Sequence, residues 1–368
     1  METGFRFNFK KNNLMALIFT KEQEWLEKWD QFVSDNNASH LVYSDWLKSY
    51  ESYGFDFEIG IFVDNEKIIG GYGAVIPKIA FLKFYILPYG PIVLKENRSI
   101  WEELILAIKK RSNEIKSCYC QIALPYSEKN QIEKIQRDFL EHLNFKKGNY
   151  FKYVFSFAGL NWIDLRKYKS AEEVLMDFKS SVRRDIRNAS RKDSTIEYFS
   201  KPEQIELAYK VCQENANRAN YPIRDWQDVK ETIFALIEKQ NAKFIVASKD
   251  GEIKGAIFII KTGKYYTYIF GGTKKEKPDL LTGHLLQWEA IKLSLLENCV
   301  GYNISLGGSK GVREFKNGFN TNEILNENSK YYFINNRILF FIYISLEKYV
   351  KPYKGRIAGI LRSVKNKK

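Results

Sequence analysis

Residues 65–71, with the sequence Asn-Glu-Lys-Ile-Ile-Gly-Gly, align with residues 250–256, with the sequence Asp-Gly-Glu-Ile-Lys-Gly-Ala. Each stretch predicts a tight turn between two apolar strands, because Asn, Asp and Gly favour such turns. The match continues in the same order with an aromatic strand (81–87 and 265–270), a helix (101–115 and 285–296) and a second apolar strand (119–124 and 302–306). A solenoid repeat spans only about 20–50 residues. The sequence therefore predicts two copies of one α/β domain.

Length and composition support this division. The chain has 368 residues, of which 45% are hydrophobic and 15% aromatic, which is enough for two packed cores and excludes a disordered chain. We predict a first domain at residues 1–158 and a second at 159–335. An aromatic and basic helix at 336–368 is predicted to dock on the first domain. The alternation at residues 150–157 predicts the strand that ends the first domain.

The chain is basic, with a formal net charge of +14 and an isoelectric point near 9.3. This charge favours polyanionic partners such as nucleic acid, phosphate-bearing substrates or an anionic membrane surface, with solubility alone as the alternative. The 4 cysteines lack CxxC spacing and the 3 histidines are scattered, which predicts a reduced, cytoplasmic chain without a metal. We predict no signal peptide and no transmembrane segment, since no apolar stretch approaches about 20 residues.

A basic segment at residues 179–192 predicts an anion-binding helix. It contains Arg183, Arg184 and Arg187, and the first and last of these share a helix face at i and i+4. Guanidinium groups bind phosphate oxygens through paired hydrogen bonds. We interpret the segment as a clamp for a substrate diphosphate or for tRNA. A solvated helix face is the alternative.

Further segments carry a resemblance to a known family. They are residues 182–189 (VRRDIRNA), 286–291 (LQWEAI), 302–308 (YNISLGG) and 311–319 (GVREFKNGF), with residues 44–46 (SDW) and 89–91 (YGP) as landmarks of the first half. In this order they resemble the Fem family of peptidoglycan-bridge aminoacyltransferases, which are tandem GNAT acyltransferases. The resemblance implies an α/β (α+β) chain with two GNAT-like domains, each a mixed sheet flanked by helices.

The resemblance also implies an activity. It is the transfer of an aminoacyl or acyl group to an amine of a cell-envelope precursor, in peptidoglycan or a surface polysaccharide. Phe315 and Lys316 would then lie in the transfer channel, with Lys316 stabilising the oxyanion of the tetrahedral intermediate or meeting donor phosphate. The alternative is a surface lysine beside a packed phenylalanine.

Two pairs of residues are further candidates for substrate contact. Gly307 and Gly308 would allow the backbone to approach a substrate closely, or would serve only a sharp turn. Trp46 and Tyr50 would line a groove for the acceptor, or would belong to the core.

The sequence leaves two alternatives for the acyl donor. No cofactor is expected to be bound tightly, and the co-substrate would be aminoacyl-tRNA or acyl-CoA. Residues 278–283 hold one glycine where CoA-dependent GNAT enzymes carry (Q/R)xxGx(G/A), which disfavours acetyl-CoA. Acyl-CoA-dependent acetylation of an amino sugar is the second hypothesis, and a non-catalytic binder of RNA or an anionic surface is the third. Fem-type acceptors bear phosphate and are often lipid-linked, so the basic residues at 348–368 would bring this cytoplasmic protein to the inner face of the membrane.

Overall fold

The computed structural model describes residues 6–8, 15–94, 97–126, 130–326 and 328–350. The strands, in chain order, are β1 (Arg6–Asn8), β2 (Met15–Thr20), β3 (Asp56–Asp64), β4 (Lys67–Ile76), β5 (Lys78–Ile79), β6 (Leu82–Leu87), β7 (Ile92–Val93), β8 (Tyr119–Ala123), β9 (Lys146–Lys147), β10 (Gly159–Asp164), β11 (Thr195–Phe199), β12 (Ala242–Lys249), β13 (Glu252–Thr262), β14 (Tyr265–Thr273), β15 (Gly301–Asn303), β16 (Asn322–Leu325) and β17 (Lys330–Ile334).

The helices are α1 (Gln23–Asp35), α2 (Ser44–Lys48), α3 (Arg98–Glu114), α4 (Asn130–His142), α5 (Ala171–Asp177), α6 (Ser180–Ser190), α7 (Pro202–Ala219), α8 (Trp226–Glu238), α9 (Thr282–Leu296), α10 (Lys310–Asn317) and α11 (Arg337–Ser345). Short 3₁₀ turns lie at His40–Val42 and Ser49–Tyr53, and a π-helical turn follows α11 at Leu346–Val350. Among the described residues, no helix is both long and apolar enough to cross a membrane.

The chain forms two compact units, neither of which is continuous in sequence. The first contains Met1–Thr20, Gly54–Phe157 and Asn328–Lys368, and the second contains Lys21–Tyr53 and Ala158–Glu327. Residues 21–53 thus lie in the second unit, whereas the sequence predicts them in the first domain. The reason is long-range hydrogen bonding, since Tyr43 donates to the Lys261 carbonyl at 3.1 Å and Lys239 bonds Asp45 at 2.6 Å.

The first unit is built on one mixed sheet. Its strand order is β1-β2-β3-β4-β6-β8-β17-β9, with β5 on β6 and β7 on β4, and the pair β6–β8 is parallel. Helix α3 covers this sheet. Asn97 caps it by accepting from the Ile100 amide, and its buried apolar face contains Ile100, Trp101, Leu104, Ile105 and Ile108.

A buried ion pair lies inside the first unit. The Glu58 carboxylate accepts two hydrogen bonds from the Arg111 guanidinium, at 2.9 and 2.7 Å, and a third from the Tyr85 hydroxyl at 2.8 Å. The Tyr85 oxygen in turn lies 3.2 Å from the Tyr72 hydroxyl, from which it can accept a hydrogen bond. The pair joins β3 to α3, so it ties the sheet to its covering helix.

The second unit repeats the plan. Its seven strands run β11-β12-β13-β14-β15-β10-β16, and the pair β14–β15 is parallel. Helix α9 covers the sheet through Leu286, Ala290 and Ile291, which pack with Ile257 and Ile259 of β13 in the core.

The predicted repeat is confirmed element by element. In both units an antiparallel hairpin is followed by a third strand, a helix and a strand parallel to the third, namely β3-β4-β6-α3-β8 and β12-β13-β14-α9-β15. Each hairpin also contains a β-bulge at the same place, because Ile69 and Lys254 are skipped in the pairing. The predicted α/β class with mixed sheets flanked by helices is therefore correct.

The sequence also predicts a strand and a helix outside the repeat, and the structure contains only the helix. The segment predicted as a strand at 150–157 has no strand within it. In the predicted C-terminal helix, α11 packs within the first unit, where Phe340 stacks on Tyr119 with ring centroids 5.1 Å apart. The basic residues at 351–368 lie outside the described part of the chain.

Candidate active site

The two parallel strands of the second unit pair over only three residues. The ladder runs from Tyr265 opposite Gly301 to Thr267 opposite Asn303, where β15 ends while β14 continues to Thr273. Beyond this point β14 contains a bulge, since Ile269 is skipped in the pairing with β13. Bulges re-aim backbone groups out of a ladder. The backbone of β14 beyond Thr267 therefore has no partner from β15.

A sharp turn follows the end of β15. The Asn303 Oδ1 atom accepts hydrogen bonds from the Asn161 amide at 3.0 Å and the Ser305 amide at 3.1 Å. Ser305, Gly307 and Gly308 all have positive φ, at 67°, 78° and 108°. The side chain of Asn303 therefore fixes the start of the turn through an oxygen that an aspartate would also supply.

Gly308 is required by its surroundings, and this leads to a prediction. A Cβ at Gly308 would lie 2.5 Å from Cγ1 and 2.9 Å from Cβ of Val312, whereas a Cβ at Gly311 meets nothing within 4 Å. We expect Gly308→Ala to destabilise the protein by about 1–3 kcal/mol, because it combines a clash with a strained φ. Gly311→Ala lies in α10 and is expected to be neutral or stabilising by up to about 1 kcal/mol. Urea unfolding of both variants measures the difference, and equal stabilities would contradict this account of the turn.

Lys316 lies beneath this turn. It occupies the last turn of α10, its side chain is buried, and its Nζ donates to the carbonyls of Ser305 at 2.9 Å and Gly307 at 3.2 Å. Burial lowers the pKa of Lys316 to about 8, and the charge of Glu323 opposes this shift. An ammonium group has three N–H donors. Two of them bond the carbonyls of the turn.

A histidine packs against Phe315 in the site. The ring of Phe315 lies 4.8 Å from that of His284, in the first turn of α9, and 5.2 Å from that of Phe319. The Nε2 atom of His284 is 3.8 Å from Asp185 Oδ2 on α6. Burial lowers the pKa of His284, with Asp185 and Asp279 opposing, so its imidazole is neutral near pH 7 and can accept a proton. Sequence reasoning missed this pair, because the two residues are far apart in the chain and form no motif.

The structure gives the three predicted clamp arginines different surroundings. Arg183 donates to the carbonyls of Met176 and Phe178, both at 2.8 Å, and so satisfies the C-terminal end of α5. Arg184 and Arg187 are exposed, and Arg184 lies 3.3 Å from Asp185. Arg184 and Arg187 are therefore the most exposed members of the set, while one nitrogen of Arg183 is engaged by backbone carbonyls.

Two hydrogen bonds fix the loop that precedes α9. Lys192 donates to the Asp279 carbonyl, and the Asp279 carboxylate accepts from the Leu281 amide at 2.8 Å. No side chain caps the N-terminus of α9. The amides of its first turn are therefore not occupied by a cap, and such amides favour anionic groups.

Trp46 and Tyr50 have packing partners away from α10. The Trp46 ring meets His40 edge-on at 5.0 Å, and its Nε1 is buried without a hydrogen bond to the described residues. Tyr50 is buried, with the Arg224 guanidinium 5.5 Å from its ring. The site around Lys316 is thus assembled from α6, α9, α10 and the turn after β15. No cluster of three or more metal-binding side chains occurs in the described residues.

Part of the chain matches a known protein family. Residues 177–316 match the family model described as an acetyltransferase (GNAT) domain. This range includes α6, α9, Phe315 and Lys316. The search of curated proteins returned no match.

Among the solved structures that are similar to the chain are the following three. The crystal structure of FemX aligns with a TM-score of 0.72 at 16% identity, over 88% of this chain and 99% of FemX. A conserved protein of unknown function from Bacteroides thetaiotaomicron VPI-5482 aligns with a TM-score of 0.57 at 12% identity, over 85% of this chain and 98% of its own. A tandem GNAT protein from the clavulanic acid biosynthesis pathway aligns with a TM-score of 0.51 at 10% identity, over 87% and 99%. The chain therefore has the fold of FemX and of the tandem GNAT protein, and its residues 177–316 match an acetyltransferase (GNAT) domain.

Proposed function

We propose that this chain transfers an aminoacyl group from charged tRNA to an amine of a cell-envelope precursor, in peptidoglycan or a surface polysaccharide. The observation that carries the proposal is the buried Lys316 ammonium, bonded to the carbonyls of Ser305 and Gly307 where β15 leaves β14. This arrangement lies in the segment that resembles the Fem family. It supplies a positioned cation beside the opening between the two strands.

The chemistry uses that cation directly. The acceptor amine attacks the carbonyl carbon of the donor ester, and a C–N bond forms while the carbonyl oxygen becomes an oxyanion. Collapse of this intermediate breaks the C–O bond, and the leaving hydroxyl takes a proton while the attacking nitrogen loses one. The remaining N–H of Lys316 can donate to the oxyanion, and a donor aimed at developing charge lowers the barrier. The reaction needs no covalent bond to the enzyme.

Phosphate recognition is assigned to the exposed cations nearby. Arg184 and Arg187 are reachable by an anion, and the uncapped first turn of α9 favours one as well. Both substrates of the proposed reaction carry phosphate, one in tRNA and the other in the precursor. The net charge of +14 favours the approach of either.

A transfer assay with two labelled donors tests the proposal. Charged tRNA and acyl-CoA, each labelled in the acyl group, are incubated separately with the protein and an envelope-precursor extract. We expect label to move from charged tRNA, and the Lys316→Met variant is the matched control for transfer by contaminants. Absence of transfer from charged tRNA, with the wild-type protein folded, would refute the proposed donor.

The second candidate function keeps the fold and changes the donor. GNAT domains typically use acyl-CoA, and the chain would then acetylate an amino sugar of a surface polysaccharide. The N-terminus of α9, which no side chain caps, favours this alternative, because backbone amides at a helix N-terminus would suit the pyrophosphate of CoA. Label that moves only from acyl-CoA, together with protection of the protein from thermal unfolding by acyl-CoA, would establish it.

A further inference from the structure

Helix α11 of the first unit has two contrasting faces. On one face Phe340 stacks on Tyr119 at 5.1 Å, and Tyr343 meets Phe84 at 4.8 Å. On the other face Ile338 is 74% exposed and Phe341 is 71% exposed. Residues three and four apart share a helix face, so these two side chains are neighbours. One side of α11 is therefore anchored in the first unit while the other presents bulky apolar groups to solvent.

The apolar stripe continues past the end of α11. In the π-helical turn at Leu346–Val350, Tyr349 is 62% exposed and Leu346 is 41% exposed. A tyrosine has an apolar ring and a polar hydroxyl, which suits it to a boundary between lipid and water. The exposed stripe of α11, defined as Ile338, Phe341, Leu346 and Tyr349, is thus about three turns long.

Charge around the exposed stripe is predominantly positive. Arg337 and Lys348 are both exposed, and the Lys348 Nζ lies 5.0 Å from the Tyr349 ring centroid. The one acidic residue of residues 337–368, Glu347, accepts a hydrogen bond from the Tyr153 hydroxyl. The sequence that follows, residues 351–368, contains seven Lys and Arg residues and no Asp or Glu. The stripe is therefore bordered by positive charge.

We propose that the exposed stripe of α11 docks on the surface of an anionic lipid bilayer. An amphipathic helix with large apolar residues and adjacent Lys and Arg lies in the plane of the lipid headgroups, where acyl chains cover the apolar groups and anionic lipids attract the cations. Four side chains form too narrow a surface for a stable protein interface, which buries about 1,200–2,000 Å². This inference does not rest on the proposed acyl transfer.

Vesicle binding by the full chain tests this inference. The protein is mixed with vesicles of phosphatidylglycerol and phosphatidylcholine, or of phosphatidylcholine alone, and bound protein is measured by flotation. We expect binding to the anionic vesicles that weakens with salt, and about tenfold or greater weakening for Phe341→Glu, which places a negative charge in the stripe. The matched control is Leu296→Glu, at a side chain of the second unit that is 80% exposed. It is expected to bind as the wild type does.

The opposite results would overturn the proposal. They are wild-type protein that does not float with anionic vesicles, Phe341→Glu that floats as well as wild type, or Leu296→Glu that is weakened equally. Circular dichroism of each variant checks that it is folded. Sedimentation equilibrium adds a further outcome, because a dimer that Phe341→Glu dissociates would assign the stripe to a second copy of the chain. The assay contains no acyl donor, so its failure is separate from failure of the proposed enzymatic activity.

Discussion

Replacement of Lys316 by Met is expected to lower the turnover of acyl transfer by about 10²–10³-fold, which is the usual cost of removing one oxyanion donor. Methionine keeps most of the apolar stem in its buried position while removing the ammonium group. Single-turnover kinetics with the donor identified in the transfer assay measure the chemical step. The matched control is Lys310→Met on the same helix, whose side chain is 87% exposed. It is expected to retain wild-type turnover.

The pH dependence of stability and that of turnover distinguish a structural role of Lys316 from a catalytic one. The pKa of Lys316 lies at about 8, below its ordinary value of 10.5, so between these values the unfolded chain binds the extra proton. The contribution of Lys316 to stability therefore rises with pH across this window. The catalytic contribution changes in the opposite direction, because the neutral amine no longer offers a cation to the oxyanion.

We accordingly expect turnover to decline above about pH 8 in the wild type while thermal stability does not decline with it. In Lys316→Arg the guanidinium stays charged, so this inflection should disappear from whatever activity remains. A pH profile of Lys316→Arg with the wild-type inflection, or turnover of Lys316→Met equal to that of wild type, would remove Lys316 from the mechanism.

Loss of Arg111 is expected to destabilise the first unit by about 3–5 kcal/mol, because Arg111→Met leaves the buried Glu58 carboxylate without its cation. In the folded chain the two groups share a bidentate contact at 2.7 and 2.9 Å, and Glu58 is buried. The matched control is Arg98→Met on the same helix. Arg98 pairs with Glu102 at 2.7 Å with its side chain 66% exposed, so we expect its loss to cost less than about 1 kcal/mol.

Hydrogen exchange of peptides covering β3 and α3, followed through a urea titration, measures this effect within the first unit. The double variant Glu58→Gln with Arg111→Met should recover part of the loss, because no unpaired charge remains and Tyr85 can still donate to the amide oxygen. If Arg111→Met costs no more than Arg98→Met, the buried pair does not stabilise the unit as argued.

The repeated unit could be predicted because its signals are local. Turn residues at 65–66 and 250–251 fix two hairpins, and apolar runs on either side supply the strands. Lys316 and Phe315 could be singled out because they lie in a contiguous motif. Their actual neighbours could not, since the carbonyl of Ser305 becomes a partner only once the turn after β15 has formed.

Features that depend on contacts between distant segments could not be predicted, because no local sequence pattern encodes them. The sequence predicts Arg183 as part of an anion clamp, but it gives no sign that one of its guanidinium nitrogens bonds the carbonyls at the end of α5. The pairing of His284 with Asp185 depends on how α6 lies against α9. The assignment of residues 21–53 to the second unit depends on side-chain bonds such as that from Tyr43 to the Lys261 carbonyl. At 150–157 the sequence pattern predicts a strand, but these residues form no ladder and their burial does not alternate, since Lys152 and Tyr153 are both exposed and Ser156 and Phe157 are both buried.

The position of β17 has a consequence for synthesis of the chain on the ribosome. This strand lies inside the sheet of the first unit, between β8 and β9, yet it follows the whole second unit in sequence. During translation, Tyr119–Ala123 therefore emerges with an unpaired edge, which is a template for association with other chains. The first sheet can close only after residues 330–334 have left the exit tunnel. A fragment that stops before residue 328 would keep that edge open, so dissection of the protein into separate halves is expected to yield aggregating material.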